Sequence, residues 1–376
     1  MQKKIGLDIR IFGNGMGGIG RYCKELFPRI LALDEENFYY LFYNKKIADP
    51  NQLNIFNRFK NVQLVETNIR HYSLAEQTSF LRLLNKYNLD LVHFPNFNVP
   101  YFYNKPFVVT IHDMVHHKIS GAKKSRFLHF LAYTKIIERA AKNSKYIITV
   151  SEYSKQDITN YLGIPAEKIH VAYEGSSLKT EISDELLNEV KTRYLLKRPY
   201  FLFVGVLERK KNIINLTRGF DYFLQKYKAD MDLVIVGKAD SHYPDIKHKA
   251  MDIKNQNSLV FTGQVDEVEL CALYKGAYAF ITASLHEGFG LPGVEALSFG
   301  LPLLASNLPV FNEIYDNACV YFDPLDQKDI GEKMQLLSRD DKFYGQIQHK
   351  SFQRSLLFNW ENTARETLKI YQKILL

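Results

Sequence analysis

Hydrophobic positions along this chain fall into two kinds of run. Short, nearly unbroken apolar stretches alternate with longer segments in which apolar residues recur every three or four positions. The short runs in the first half are KIGLDI (4–9), FYYLFY (38–43), NVQLVE (61–66), LDLVHF (89–94), FVVTIH (107–112), KYIITV (145–150) and KIHVAY (168–173). Several are apolar at consecutive rather than alternate positions, the pattern of strands covered on both faces. Strands separated by helical segments need right-handed crossovers, so the prediction is α/β, with a doubly wound parallel sheet.

The alternation pauses at 175–198, which is polar and charged, and resumes with YFLFVG (200–205). It continues through DLVIVG (232–237), SLVFTG (258–263), YAFITA (278–283), LPLLAS (301–306) and ACVYFD (318–323). The architecture repeats without a sequence repeat. The expected division is a Rossmann-like domain over 1–180, a second over 181–355, and a C-terminal helix over 356–376 packing back on the first. Two such domains facing each other would leave a cleft where the carboxyl ends of strands from both sheets meet. In the final helix Asn359 is a candidate cap, Glu361 falls in the first turn, and Lys369 and Lys373 come late, as the helix dipole favours. Glu366 can pair with Lys369. Trp360, the single tryptophan, is assigned to packing.

Composition narrows the class. With 376 residues, 46% of them apolar and 24% charged, the chain is predicted to be globular and two-domain. No apolar run is long enough for a membrane span, and MQKKIGLDIR is not a signal peptide. Three scattered cysteines, Cys23, Cys271 and Cys319, argue against a disulfide framework or zinc site and for a reducing cytoplasm. The net charge of +8 points to anionic partners: phosphates, nucleic acid or an anionic membrane. The absence of zinc-finger spacing and of an RNA-recognition signature argues against nucleic acid.

GNGMGGIGRY (13–22) contains Gly15, Gly17 and Gly20 at dinucleotide-fingerprint spacing. Two requirements of that fingerprint fail. Five residues separate the strand from Gly15, and the next strand ends in Tyr43–Asn44 with no acid for a ribose. NAD and FAD are therefore rejected. The loop is either a plain tight turn or a helix start whose backbone N–H groups meet another phosphate.

The densest chemistry lies in ASLHEGFGLPGVEALSFGLPLLASN (283–307). A strand ends near Ala283, Glu287 and a Gly-Phe-Gly turn follow, Pro292 opens a helix containing Glu295, and Gly300 stops it. Glycines allow a ligand to approach the main chain, and the helix N-terminus favours a diphosphate. One carboxylate before the helix and one inside it can accept bonds from two sets of hydroxyls.

This run resembles the E-x(7)-E motif of retaining GT-B glycosyltransferases, in particular glycosyltransferase family 4. The resemblance extends over nearly the whole chain: IGLDIR with GGIGRY, VVTIHDM (108–114), ITVSEYSKQDI (148–158), VGVLERKKNI (204–213) and the closing FNW. It implies two Rossmann-like domains facing a central cleft, the first (1–180) on the acceptor side and the second (181–355) holding the nucleotide-sugar donor. It also implies that Glu287 sits by the donor sugar, with the backbone of Gly288, Phe289 and Gly290 on sugar hydroxyls or phosphate. Gly205 and Leu291 would complete the donor set. Glu295 would accept bonds from the ribose hydroxyls, and Lys211 would neutralise the diphosphate. Where the family usually has arginine this chain has Lys210, and Arg209 replaces the usual proline; either could take that role. His112 would face the donor sugar from the first domain, and Gly17 and Gly18 would let the N-terminal loop approach diphosphate or acceptor.

The implied reaction moves a hexose from a nucleotide-diphosphate sugar to a saccharide or lipid-linked saccharide acceptor, with retention and without a metal or other cofactor. The general look resembles bacterial mannosyltransferases of polysaccharide assembly, favouring GDP-mannose over UDP- or dTDP-hexoses. The one D-x-D, Asp230 and Asp232, precedes a strand at its N-terminal end and is read as loop solvation rather than a metal site. GAKKSRFLHFLAYTKIIERAAK (121–142) carries Lys123, Lys124, Arg126, Lys135 and Arg139 beside Phe127, Leu128, Phe130 and Leu131. It is expected to pack its apolar side on the domain, with peripheral contact to the inner membrane face as a second reading. A sugar-nucleotide epimerase and a non-catalytic sugar-nucleotide-binding scaffold are the alternatives.

Overall fold

A computed structural model of the chain describes residues 2–13, 17–114, 124–178 and 180–376, and of 124–132 the backbone alone. Each apolar run named above contains a strand. The first seven strands are β1 (Lys4–Asp8), β2 (Phe38–Asn44), β3 (Val62–Thr67), β4 (Leu91–Phe94), β5 (Phe107–Thr110), β6 (Tyr146–Thr149) and β7 (Ile169–Val171). They form one sheet in the order β3-β2-β1-β4-β5-β6-β7. β8 (Tyr200–Val204), β9 (Asp232–Val236), β10 (Leu259–Gly263), β11 (Ala279–Thr282), β12 (Leu303–Ser306) and β13 (Cys319–Phe322) form a second, in the order β10-β9-β8-β11-β12-β13. The strand pairs in both sheets are parallel. The order reverses between β1 and β4 in one sheet and between β8 and β11 in the other, and such switch points open a crevice at the carboxyl ends of the strands.

Burial explains why the runs are continuous. Ile5 and Leu7 of β1 pack with Tyr22, Leu26 and Ile30 of the Gly17–Leu33 helix on one face. Val92 and Phe94 of β4 pack with Phe80, Leu84 and Ile137 on the other. In the second sheet Phe201, Phe203, Leu233 and Ile235 meet Phe220 and Phe223 of the Ile213–Tyr227 helix.

The chain divides into two units, Met1–Glu174 with Asn359–Leu376, and Gly175–Phe358. These boundaries differ from the 180/181 and 355/356 read from polarity. The crossing falls between Glu174, whose carboxylate lies beside His112, and Ser176, whose hydroxyl meets that of Ser298 at 3.0 Å. At the other end Phe358 is buried against Phe289, with ring centroids 5.8 Å apart, and belongs to the second unit. The Trp360–Leu375 helix joins the core of the first unit through Trp360, Ala364, Leu368 and Tyr371. Asn359 caps it by accepting the Asn362 N–H at 2.9 Å, and Lys369 pairs with Glu366 at 2.7 Å.

The Asp230–Asp232 pair is corrected. Asp232 is buried and both carboxylates bind Arg198, so the pair is an ion-pair anchor at the start of β9 rather than a solvated loop. The basic segment forms the Lys124–Asn143 helix, whose Ile137, Ala140 and Ala141 are buried in the core. Lys123, and the side chains of Lys124, Arg126, Phe127, Leu128, Phe130 and Leu131, lie outside the described residues.

Candidate functional site

The second unit assembles its polar site from two loops that leave neighbouring strands. After β8 the chain passes Gly205 and makes a short 3-10 turn, Arg209–Lys211, before the Ile213–Tyr227 helix. After β11 it runs through 283–290 into the Leu291–Ser298 helix. The Leu285 N–H donates to the Lys210 carbonyl at 2.7 Å and ties the loops together. Asn212 holds the turn from behind, its Nδ2 donating to the Pro324 carbonyl at 2.7 Å.

This tie brings Lys211 Nζ to 2.5 Å from Glu287 Oε1, with the two side chains 14% and 12% exposed. The Ser284 hydroxyl donates to the same carboxylate oxygen at 2.8 Å. A Cβ on Gly205 would lie 3.2 Å from the Phe203 ring and 3.5 Å from Lys211 Cε, so the bare strand end leaves the lysine its path. Burial pushes the Glu287 carboxyl up, but Lys211 and then Lys210 outweigh it and hold the group below the usual glutamate range. The centre is thus a shielded carboxylate with a lysine on it. Lys210 also pairs with Glu208 at 3.4 Å, whereas the Arg209 guanidinium lies over the Tyr243 ring, 5.1 Å from its centroid. Of the two cations proposed for the arginine position, Lys210 is the one whose charge bears on Glu287.

The following helix starts under constraint. Gly290 has φ 97°, and a Cβ there would stand 2.2 Å from Tyr315 Oη. The Tyr315 hydroxyl donates to the Gly290 carbonyl at 2.8 Å and holds that backbone in place. Phe289 turns its ring into the core against Phe358, so the Gly288–Gly290 turn can offer a ligand main chain rather than that side chain. Leu291 is half-buried at the first helical position. Glu295, 3% exposed, accepts the Tyr274 hydroxyl on Oε2 at 3.0 Å.

In the first unit His112 follows β5. Its Nε2 is 3.0 Å from the Pro95 carbonyl, its Nδ1 is 3.5 Å from Glu174 Oε1, and its ring meets Tyr22 edge-on at 4.8 Å. Burial would lower its pKa, but Glu174 more than compensates, and the imidazole is shifted up. Gly17, at φ 46°, and Gly18 open the first long helix, and a Cβ on either would meet nothing within 4 Å among the described residues. Gly15 lies outside them. Neither Gly17 nor Gly18 is therefore required by tight packing there.

Ser284, Tyr274, Tyr315 and Glu174 were missed from sequence. Ser284 carried a local signal, three residues before Glu287 in the same loop. The others act across 21, 25 and 62 residues of chain, and nothing local marks them. Among the described residues no group of three His, Cys, Asp or Glu side chains is placed to hold a metal, and no helix is long and apolar enough to cross a membrane.

Two family models match the chain, Glycosyltransferase Family 4 over residues 16–179 and Glycosyl transferases group 1 over residues 188–354. Between them they take in both units. The chain belongs to the family 4, group 1 glycosyltransferases. Its fold is of the GT-B class. The chain is similar to O-antigen chain mannosyltransferase B of Escherichia coli, 24% identical over 373 residues, which cover 94% of this chain and 96% of that one. It is 27% identical to O-antigen chain mannosyltransferase RfbU of Salmonella typhimurium over 249 residues, 66% of this chain and 65% of the relative. Among solved structures, Anabaena HepE in complex with UDP and glucose superposes with a TM-score of 0.76 at 15% identity, covering 99% of this chain and 100% of that one. WaaG, a glycosyltransferase involved in lipopolysaccharide biosynthesis, gives 0.73 at 14%, covering 98% and 99%. At those identities the structural likeness speaks for the fold alone.

Proposed function

We propose that this glycosyltransferase moves a mannosyl group, with retention, from GDP-mannose to a saccharide or lipid-linked saccharide in polysaccharide or glycolipid assembly. The observation that carries the reading is the Lys211–Glu287 pair, set between two strand-end loops with Glu295 in the helix that follows. The mannose is supported by the similarity to the two O-antigen chain mannosyltransferases.

On this reading Lys211 and Lys210 receive the charge that grows on the diphosphate as the glycosidic bond breaks, without a metal. Cations already held in place do not have to reorganise at that moment, which is where such stabilisation gains most. The Glu287 carboxylate lies at the sugar end, where it orients Lys211 and can accept sugar hydroxyls. Main-chain N–H groups of Gly288–Gly290 complete the anion cradle and Glu295 takes the ribose. The leaving phosphate accepts the proton of the incoming hydroxyl on the same face. His112, with both ring nitrogens engaged and its charge favoured by Glu174, is assigned to substrate binding rather than to free proton transfer.

Thermal shift with a panel of nucleoside diphosphates and their sugars tests the reading. GDP and GDP-mannose are expected to stabilise the wild type, and Glu295→Ala is expected to weaken their binding by about tenfold to a hundredfold, the worth of a charge-assisted hydrogen bond pair. A shift with UDP or dTDP instead would replace the base. Conversion of the sugar nucleotide without an acceptor would favour an epimerase, binding without turnover a scaffold, and no shift with any member would sink the donor assignment.

The membrane reading is narrower. Lys135 is exposed on the basic helix, and Arg139 lies over the Tyr101 ring at 4.7 Å. With a net charge of +8, the protein is expected to co-sediment with anionic vesicles at low salt and to release as salt screens the attraction. Absence of binding at low salt would remove the membrane from the account.

A further inference from the structure

Two hydrogen-bonded chains run from the Trp360–Leu375 helix toward His112, both within the first unit. The first begins at Tyr371, whose hydroxyl lies 2.5 Å from Nδ1 of the fully buried His93 on β4. His93 Nε2 is 2.8 Å from the Thr110 hydroxyl on β5, and that hydroxyl is 3.1 Å from Tyr22 Oη. The Tyr22 ring is the one that meets His112 edge-on, and it also meets Trp360, at the start of the same helix, with centroids 5.9 Å apart. The second chain begins at Thr363, whose hydroxyl donates to the Tyr173 carbonyl at 2.5 Å. The next residue is Glu174, which lies beside His112 Nδ1.

The strands explain why these contacts bear on His112. β4 and β5 are parallel neighbours, and side chains two residues apart on a strand share a face. His93 and Thr110 stand two residues before Pro95 and His112, so their contact crosses between the strands one step before that of His112 with the Pro95 carbonyl. Burial pushes the His93 pKa down to about 3 and keeps the imidazole neutral. A neutral imidazole has one donor and one acceptor, so it passes hydrogen-bond polarity from Tyr371 to Thr110. A buried polar chain fixes one arrangement when it is complete, and losing a member leaves another unpaired. The Tyr22 ring, the Pro95 carbonyl and the Glu174 carboxylate, which surround His112, are each tied to the C-terminal helix through a residue or two.

We propose that Tyr371 and Thr363 are positioning residues, through which docking of the C-terminal helix seats the His112–Glu174 pair. The helix then does more than cover apolar surface: it completes the site of the first unit from a distant part of the sequence. The part His112 plays in sugar transfer rests on the reading above; its seat does not.

NMR titration of the imidazoles in the full chain tests it, with the His112 signal assigned from its loss in His112→Asn. The carboxylates that raise the His112 pKa are Glu174 and then Asp113. Tyr371→Phe and Thr363→Val each remove one hydroxyl and keep the shape of the side chain. Each is expected to loosen the Glu174 pair and lower the His112 pKa by about half a pH unit. Each should also lower kcat with the sugar-nucleotide donor about tenfold, as a displaced contact group does. Leu368 is buried in the same core and belongs to neither chain. Leu368→Val should cost stability and leave the His112 pKa in place, which separates positioning from general loosening of the helix. Tyr371 and Tyr22 end one chain, so adding Tyr371→Phe to Tyr22→Phe should move the pKa little further than Tyr22→Phe alone. A His112 pKa unchanged in both hydroxyl variants, or moved equally by Leu368→Val, overturns the proposal. The expected movement in a protein that turns over no sugar nucleotide would uphold the seat and overturn the donor reading instead.

Discussion

Replacing Lys211 by alanine is expected to lower kcat with the sugar-nucleotide donor by about a hundredfold to a thousandfold, the usual loss when one preorganised group facing developing charge is removed. The same change strands Glu287. In the wild type its carboxyl is held below the usual range because the lysines outweigh burial. A glutamate whose folded pKa lies below its unfolded one contributes stability that is present above the unfolded pKa and lost as pH falls through the folded one. Without Lys211 burial remains and the main counter-charge is gone, so the carboxyl should titrate higher and that contribution shrink or reverse. Breaking a buried pair from one side costs about 3–5 kcal/mol. Lys211→Ala should therefore be less stable at neutral pH and lose less of its stability on acidification than the wild type. Removing both partners, as Lys211→Met with Glu287→Gln, should restore much of the stability and none of the turnover. Denaturant unfolding across the acid range, alongside steady-state kinetics, separates the two effects. Wild-type kcat in Lys211→Ala would remove the lysine from the leaving-group role.

The strands were legible because burial on both faces demands consecutive apolar residues, and such runs stand out against amphipathic helices. FYYLFY and DLVIVG became β2 and β9 within a residue of their expected ends. The loop from Glu287 to Glu295 was legible because its chemistry is local: two acids, four glycines and a proline within 283–300, at spacings a strand-turn-helix unit imposes. What stayed hidden depends on distant partners. Tyr274 reaches Glu295, and Tyr315 holds the Gly290 carbonyl, only once β10, β11 and β12 are in place. Asp232 reads as loop polarity until Arg198, at the start of β8, comes alongside. The Tyr371–His93 contact is hidden for the same reason, since 278 residues separate the phenol from the imidazole.

Gly290→Ala is expected to be strongly damaging to the candidate site and to the stability of the second unit. Two independent costs coincide there. At φ 97° a side chain is strained whatever space surrounds it, by roughly 1–3 kcal/mol. The new Cβ would also stand 2.2 Å from Tyr315 Oη and 2.7 Å from Phe311 Cε1, and overpacking of this kind costs about 1–3 kcal/mol more. Tyr315 cannot simply swing aside, because its ring stacks on Phe311 at 4.9 Å and its hydroxyl is bound to the Gly290 carbonyl. Relief must come from the backbone of Gly288–Gly290, the stretch assigned to the donor. The variant should unfold at lower denaturant and also lose its nucleotide-induced thermal shift. Adding Tyr315→Phe removes the closest clash and should recover part of the stability, while the φ cost remains. Wild-type stability in Gly290→Ala would mean that the turn does not hold this conformation in solution. Full recovery in the double variant would mean that the clash, rather than the left-handed backbone, is what makes glycine necessary.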